Sequence, residues 1–276
     1  MLLIEPGELA RLQVSEPVRV VDVGDDDQRY QRAHIPGAVH MPYAELLAPQ
    51  GPAKGLPPDA ATLAGRLARL GIDDSVTVVA YDGDGGGKAA RLLWSLDLLG
   101  HPRHGLLNGG FQAWLAEEGA VASGAEAAPE PGAGYEPGLR GADRLADRDW
   151  VRERLEDPGV ILLDARSRAE YTGEDVRAER GGHIPGAVHL DWQALMDPED
   201  PPALLPAEQI HALLEARGIR GGGDQEIVVH CQTHHRSSLT YAVLRALGYE
   251  HVRAYAGSWS EWGNDPELPV RTGPEP

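Results

Sequence analysis

Short apolar runs rich in valine and isoleucine alternate along this chain with longer segments whose leucines recur at helical spacing. The apolar runs predict strands at 18–22, 76–81, 160–164 and 227–229. The periodic segments predict helices at 62–70, 88–99, 207–217 and 237–247. Glycine is common just past a helix, and the glycines in that place are Gly71, Gly100, Gly218 and Gly248. Strands that alternate with helices indicate an α/β fold, with mainly parallel sheets that carry helices on both faces.

The order of these elements is repeated within the chain. The heptapeptide at 34–40, HIPGAVH, recurs unchanged at 183–189. Further along each half, the segments at 109–114 and 257–262 also correspond, and the order of the matches is kept. The chain is therefore predicted to contain two copies of one domain.

A stretch of small residues, prolines and glutamates lies between the copies, at 124–134. This composition is typical of a linker. The predicted domains are therefore residues 1–123 and 139–276, with a linker at 124–138.

The only cysteine, Cys231, lies between a predicted strand and a predicted helix. In parallel α/β sheets, ligands bind at turns of this kind. The residues that follow Cys231 are Gln232, Thr233, His234, His235 and Arg236. A helix N-terminus and nearby cationic side chains both favour the thiolate, which is the reactive form of cysteine. Cys231 is therefore predicted to be a nucleophile.

Composition narrows the possible partners. The 276 residues carry a net charge of −18, which argues against nucleic acid and anionic membranes as partners. No segment has the apolar length of a membrane span, and the N-terminus lacks the features of a signal peptide. One cysteine excludes an internal disulfide. We therefore expect a cytoplasmic protein whose locally positive loop binds a small anion.

Three parts of the chain resemble the tandem-domain rhodaneses, a family of sulfurtransferases. They are the Tyr30–Ala38 segment with its repeat, the Val252–Trp262 segment, and the six-residue loop that begins at Cys231. The loop is most similar to that of the Azotobacter-type bacterial thiosulfate:cyanide sulfurtransferases. The resemblance covers essentially the whole chain, and it implies two tandem rhodanese-like domains.

The resemblance also implies a double displacement. The Cys231 thiolate takes the outer sulfur of thiosulfate, releases sulfite, and passes the sulfur from its persulfide to cyanide, a thiol or a sulfur-accepting protein. Covalent catalysis of this kind divides one difficult transfer into two easier steps. It implies no cofactor and no metal.

The same resemblance implies roles for the loop residues. Arg236 and any protonated His234 or His235 attract the anionic donor, while Gln232 and Thr233 supply backbone N–H groups. Ser237, grouped with the substrate-binding residues, is expected together with Ser238 to cap the helix, because serine is a preferred N-cap residue. Trp192, which follows the second HIPGAVH segment, is a candidate wall of the pocket.

The repeated histidines and aspartates are expected to be structural. His34 and His183 occur in both copies, although only one copy has the cysteine, so we expect them to fix a turn by hydrogen bonds. Asp22 and Asp164, which end corresponding apolar runs, are expected to pair with a nearby arginine such as Arg166. In the first copy Asp82 stands where the second has Cys231, so that copy is predicted to be inactive and to cover the active face of the second.

Two other chemistries use similar residues. A cysteine phosphatase has five residues between cysteine and arginine, whereas four separate Cys231 from Arg236. A zinc site would use His230, Cys231, His234 and His235, but it usually needs a second ligand pair at a distance, and no such pair is present.

Two alternatives remain within the family resemblance. Mercaptopyruvate sulfurtransferases hold the substrate carboxylate with an arginine, at a position where this chain has Glu170. A non-enzymatic sulfur-carrier or binding role is more credible for the first copy than for the whole chain.

Overall fold

The computed structural model describes the whole chain except residues 128, 136–137, 199–202 and 221–224. The described residues form two compact units. The first consists of Met1–Leu47, Pro58–Ala142 and Asp197–Leu204, and the second of Ala48–Pro57, Asp143–Met196 and Leu205–Pro276. Each unit thus contains a short segment from the opposite half of the sequence.

The first unit is built on a five-stranded parallel sheet in the order β1-β5-β4-β2-β3. Its strands are β1 Leu2–Ile4, β2 Val18–Gly24, β3 Val39–Pro42, β4 Thr77–Tyr81 and β5 His104–Leu107. Its helices are α1 Pro6–Ser15, α2 Gln28–Arg32, α3 Ala60–Arg69, α4 Gly87–Leu99 and α5 Gly110–Ala116.

The second unit repeats this topology, in the order β6-β10-β9-β7-β8. Its strands are β6 Leu145–Ala146, β7 Val160–Asp164, β8 Val188–His189, β9 Glu226–His230 and β10 Val252–Tyr255. Its helices are α6 Arg148–Arg152, α7 Arg168–Thr172, α8 Ala207–Glu215, α9 Arg236–Ala246 and α10 Ser258–Trp262. The predicted α/β class and the internal duplication are confirmed.

Helix ends follow the local signals in the sequence. The observed helices α3, α4, α8 and α9 lie within two residues of the predicted bounds. The glycine after each of them is left-handed, with φ of 67° at Gly71, 70° at Gly100, 78° at Gly218 and 87° at Gly248. Residues with a Cβ rarely adopt this conformation, which is why the sequence marks these ends with glycine.

The repeated histidines have the structural role expected of them. His34 Nδ1 lies 2.7 Å from the Tyr30 carbonyl oxygen, and His183 Nδ1 lies 2.8 Å from that of Tyr171. Each histidine ring also stacks on its tyrosine, with centroids 4.0 Å and 3.8 Å apart. The two copies therefore use the same buried contact to hold the turn.

One difference between the copies lies beside this contact. Three residues separate Tyr30 from His34, whereas eleven separate Tyr171 from His183, an insertion of eight residues. The inserted segment carries Arg177 and Arg180, which have no counterparts in the first copy. Arg180 donates to the carbonyl oxygen of Trp262 at 2.9 Å, so the insertion is tied to the end of α10.

None of the helices in the described part of the chain is long and apolar enough to cross a membrane.

The predicted linker at 124–138 is grouped, where described, with the first unit. Its role as a linker stays a prediction.

Candidate active site

Cys231 lies at the carboxyl end of β9, one residue after the strand and five before α9. Its neighbour His230 is in register with Asp164, the last residue of β7. The thiol is fully buried and forms no disulfide. The topology therefore places the cysteine where a parallel sheet presents its ligand-binding turns.

The loop around Cys231 favours the charged form of the thiol. Burial alone would raise its pKa, because an apolar environment disfavours a thiolate. The positive charge of Arg236, the hydroxyl of Ser237 and the backbone N–H groups of Ser237 and Thr233 oppose this effect and lower the pKa of Cys231. These groups together outweigh burial, so the loop shifts the balance toward the thiolate.

Ser237 and Ser238 do not cap α9, so that prediction is wrong. The residue in the N-cap position is His235, and its side chain forms no capping hydrogen bond. Ser237 instead faces the sulfur, and its Oγ lies 2.8 Å from His234 Nδ1. Ser238 donates to the His234 carbonyl oxygen at 2.5 Å. Both hydroxyls therefore hold the loop.

His234 is the strained residue of the loop. Its φ of 52° is left-handed, which costs about 1–3 kcal/mol for a residue with a side chain. Its imidazole is fully buried against Ser237. The ring therefore stabilises the loop from inside. The sequence had instead predicted that a protonated His234 would attract the anionic donor. His235 and Thr233 are half-buried beside His234.

The carbonyl groups of Cys231 and Gln232 accept hydrogen bonds from the backbone of α10. The backbone N–H of Trp259 donates to the Cys231 carbonyl oxygen at 3.0 Å, and that of Ser260 donates to Gln232 at 2.9 Å. Cys231 N in turn donates to Ser258 Oγ at 3.4 Å. The segment at 257–262, which corresponds to 109–114 in the first copy, thus anchors the cysteine loop.

Glu170 makes a contact with Arg236 that the sequence did not indicate. Its carboxylate accepts two hydrogen bonds from the Arg236 guanidinium, at 2.6 Å and 2.8 Å, and its side chain is only 1% exposed. Arg177, from the inserted segment, lies 3.7 Å away. Burial would raise the pKa of Glu170, but Arg236 and the Ser167 hydrogen bonds lower it to about 2.

Glu170 also closes the capping box of α7, where Ser167 and Glu170 bond to each other's backbone N–H. The Ser-x-x-Glu spacing of a capping box is visible in the sequence. The contact with Arg236 is not, because the two residues are 66 positions apart.

The expected pair of Asp164 and Arg166 is confirmed. The closest contact joins Arg166 Nη2 to Asp164 Oδ2 at 2.6 Å, and both side chains are buried. Burial would raise the pKa of Asp164, but the adjacent Arg166 lowers it to about 2. Arg166 also lies over the Trp259 ring at 4.5 Å. The pair therefore ties the end of β7 to α10.

Gln232 and Trp192, both predicted to bind the substrate, contact other parts of the second unit. The Gln232 side chain donates to the Arg177 carbonyl oxygen at 3.0 Å, which attaches the inserted segment to the loop. Trp192 is half-buried and begins the 3₁₀ helix Trp192–Leu195, which contacts α9. Its place in the pocket wall stays a prediction.

The corresponding loop of the first unit is occupied by its own carboxylate. Asp82 follows β4 as Cys231 follows β9, and it is 2% exposed. It accepts hydrogen bonds of 2.8–3.0 Å from four backbone N–H groups, those of Asp84, Gly86, Lys88 and Ala89. A pocket beside it is lined by Asp25, Asp26 and Asp84, with Lys88 bonded to two of these carboxylates. This loop therefore carries an internal anion where the second unit carries a sulfur atom.

Replacing Asp82 by alanine is expected to destabilise the first unit by about 3 kcal/mol, because buried N–H groups left without an acceptor are costly. Urea unfolding would measure the loss. Asp26→Ala removes an exposed carboxylate that accepts one N–H bond at 2.9 Å, and it is the matched control, with an expected change within about 0.5 kcal/mol. Equal effects of the two substitutions would contradict the assigned role of Asp82.

Among the described residues, no group of three or more histidine, cysteine, aspartate or glutamate side chains is arranged to hold a metal ion. The zinc alternative therefore gains no support from the geometry.

The fold and the site define a class: a duplicated parallel α/β protein in which one loop carries a buried cysteine and the corresponding loop is filled by a carboxylate. The chain belongs to the rhodanese family, since the rhodanese-like domain matches residues 5–117 and again 147–265. Both matched ranges fall within the two domains predicted from the duplication.

Several known proteins are similar over nearly the full length. The chain is 44% identical to a thiosulfate sulfurtransferase of Azotobacter vinelandii, covering 98% of this chain and 96% of that protein. It is 41% identical to a thiosulfate sulfurtransferase of Pseudomonas aeruginosa, with coverage of 98% and 96%. A probable 3-mercaptopyruvate sulfurtransferase of the same organism is 36% identical, with coverage of 88% and 86%. Among solved structures, YnjE has a TM-score of 0.89 and 25% identity, covering 99% of this chain and 68% of that one.

Proposed function

We propose that this protein is a thiosulfate sulfurtransferase that works by double displacement through a persulfide on Cys231. The observation that carries the proposal is the cysteine loop, where Arg236, Ser237 and backbone N–H groups lower the pKa of a buried thiol. The two most similar relatives described above are thiosulfate sulfurtransferases. The cation next to the thiolate suits an anionic donor.

In the first displacement, the Cys231 thiolate attacks the outer sulfur of thiosulfate. A new S–S bond forms on the enzyme, the S–S bond of thiosulfate breaks, and its electron pair leaves with sulfite. Arg236 and the N–H groups of the loop stabilise the negative charge as it moves, which is the main way a preorganised site lowers such a barrier.

In the second displacement, the acceptor attacks the outer sulfur of the persulfide. With cyanide the product is thiocyanate, and the electron pair of the broken S–S bond returns to Cys231 as a thiolate. The loop then holds the same charge with which it began, so the two steps need no cofactor. A thiol or a sulfur-accepting protein can take the place of cyanide.

A cytoplasmic location follows from the same chemistry. The reaction needs Cys231 as a free thiol, and a reducing compartment keeps thiols free. The first unit, whose loop is filled by Asp82, retains the non-enzymatic role of a scaffold.

The geometry gives less support to a phosphatase. Four residues separate Cys231 from Arg236, whereas a cysteine phosphatase has five. A phosphate with its equatorial oxygens needs the wider loop. We expect no hydrolysis of an aryl phosphate.

The donor preference is expected to favour thiosulfate over 3-mercaptopyruvate, with kcat/KM at least about tenfold higher, equivalent to ~1.4 kcal/mol. Glu170 is ionised and presents a carboxylate at the position where an arginine would bind the mercaptopyruvate carboxylate. Steady-state assays of both donors with cyanide as the common acceptor would measure the ratio. A higher kcat/KM for mercaptopyruvate would overturn the assignment in favour of the mercaptopyruvate alternative.

A further inference from the structure

A short segment from the first half of the sequence packs on the cysteine loop. This segment, Ala48–Pro57, belongs to the second unit, and we call it the strap. Its shape is set by its own backbone: Ala48 N donates to the Leu56 carbonyl oxygen at 2.8 Å, and Gln50 and Ala53 exchange two bonds of 3.0 Å. The strap is therefore a closed loop that brings a defined surface to its neighbours.

The contact between the strap and the cysteine loop is made backbone to backbone at Gly55. A Cβ added at Gly55 would lie 2.2 Å from the Thr233 carbonyl oxygen and 2.4 Å from that of Ala256. Both distances are far shorter than any real contact of a Cβ, and both neighbouring atoms belong to the main chain. Only glycine lets the two backbones approach this closely.

A second contact joins the strap to α10, the helix whose backbone binds the carbonyl groups of the cysteine loop. The Lys54 backbone N–H donates to Ser260 Oγ at 3.2 Å. Ser260 N in turn donates to the Gln232 carbonyl oxygen at 2.9 Å. The strap therefore touches the loop directly through Gly55 and indirectly through Ser260.

The position of the Thr233 carbonyl matters for the sulfur. Thr233 supplies a backbone N–H that lowers the pKa of Cys231, and the next residue, His234, holds a left-handed φ of 52°. A Thr233 carbonyl oxygen pushed outward rotates the peptide plane that it shares with the His234 N–H, and the change in the Thr233 backbone angles also displaces the Thr233 N–H. A left-handed residue persists only where its surroundings hold it in place.

We propose that Gly55 is a positioning residue for sulfur transfer: the strap holds the Thr233 peptide so that the N–H groups of the cysteine loop stay aimed at Cys231. The proposal rests on the proposed function, because it assigns Gly55 to the loop that carries the persulfide. It also means that residues 139–276 alone lack a part of the active site, since the strap precedes them in the chain.

The test is Gly55→Ala in the full chain. We expect kcat/KM for thiosulfate to fall about 10- to 100-fold, since a small misplacement of catalytic groups has effects of this size. We also expect the pKa of Cys231, measured by the pH dependence of its alkylation, to rise toward the ordinary thiol range. Gly65→Ala in α3, where a Cβ meets no atom within 4 Å, is the matched control and should leave both quantities unchanged.

The alkylation measurement separates this proposal from the proposed function, because it needs no sulfur donor. A wild-type protein that takes up no sulfur would refute the sulfurtransferase assignment, yet the thiol pKa would still report on the strap. A Gly55→Ala protein with an unchanged thiol pKa and unchanged kcat/KM overturns the role of Gly55.

A second variant keeps the proposal testable if Gly55→Ala does not fold. Ser260→Ala removes only the acceptor of the Lys54 bond and the Ser260 bond to Gly257 at 2.9 Å. We expect a smaller rise in the pKa of Cys231 and a loss of kcat/KM of a few-fold. An unchanged thiol pKa in this variant overturns the proposal.

Discussion

Replacement of Cys231 by serine is expected to abolish sulfur uptake and to lower the rate of thiocyanate formation by at least about 10⁴-fold, as for the loss of other catalytic nucleophiles. The hydroxyl of serine has no thiolate-like nucleophile at neutral pH and cannot form a persulfide. Intact-mass analysis before and after incubation with thiosulfate is the direct measurement. The wild-type protein should gain one sulfur atom and lose it again when cyanide is added.

The chain makes this experiment unusually clear, because Cys231 is its only cysteine. Any sulfur gained by the wild type as a persulfide must therefore be on that residue. Serine is close in size to cysteine, so the variant should keep the thermal unfolding midpoint of the wild type to within a few degrees. A mass gain in Cys231→Ser would place the sulfur on another group and refute the mechanism.

Replacement of Arg236 by methionine is expected to reduce the rate of persulfide formation by about 10²–10³-fold, the usual effect of removing a group that stabilises developing charge. The expected loss of rate has two physical reasons. Arg236 lowers the pKa of Cys231, so its loss leaves less thiolate at neutral pH. In the proposed mechanism it also stabilises the charge of the incoming donor. The acid limb of the pH–rate profile should therefore move to higher pH.

The Arg236→Met substitution also breaks a buried ion pair, which must be separated from the effect on catalysis. Glu170 would be left as a buried carboxylate without its main partner, at a cost of about 3–5 kcal/mol. The double variant Arg236→Met, Glu170→Met removes both charges and should recover most of the stability while remaining slow. Recovery of the wild-type rate in the double variant would show that Arg236 acts only through the fold.

The same ion pair predicts how stability responds to acid. The pKa of Glu170 is about 2 in the folded protein and 4.5 for the free side chain, so its contribution is complete above pH 4.5. That contribution is lost as the pH falls from 4.5 toward 2. In the double variant this part of the acid destabilisation should be missing.

The two copies of the domain carry different residues at the same loop position, Asp82 in the first and Cys231 in the second. Both loops point backbone N–H groups at the residue that follows the central strand. An anion in that place is stabilised whether it is a carboxylate or a thiolate. In the first unit the Asp82 carboxylate accepts these N–H bonds, and in the second Cys231 places a sulfur atom there, which accepts and releases another in the proposed mechanism.

The sequence by itself determined the features that depend on neighbouring residues or on repetition. The alternation of strands and helices and the glycines after the helices are local signals. The match between the two halves placed Asp82 opposite Cys231 without any structure. Local signals also identified the loop, because a lone cysteine followed by cationic residues stands out in an acidic chain.

Only the tertiary structure decided how the loop is held. The carboxylate of Glu170 reaches Arg236 across 66 residues, and Gly55 reaches Thr233 from the other half of the chain. Serine is a frequent helix cap, yet Ser237 faces the sulfur and lies beside the left-handed His234. Contacts of this kind depend on side-chain directions and on distant backbone approach. Side-chain directions and distant backbone contacts leave no periodic pattern in the sequence. The contacts that hold the Cys231 loop are therefore visible only in the folded structure.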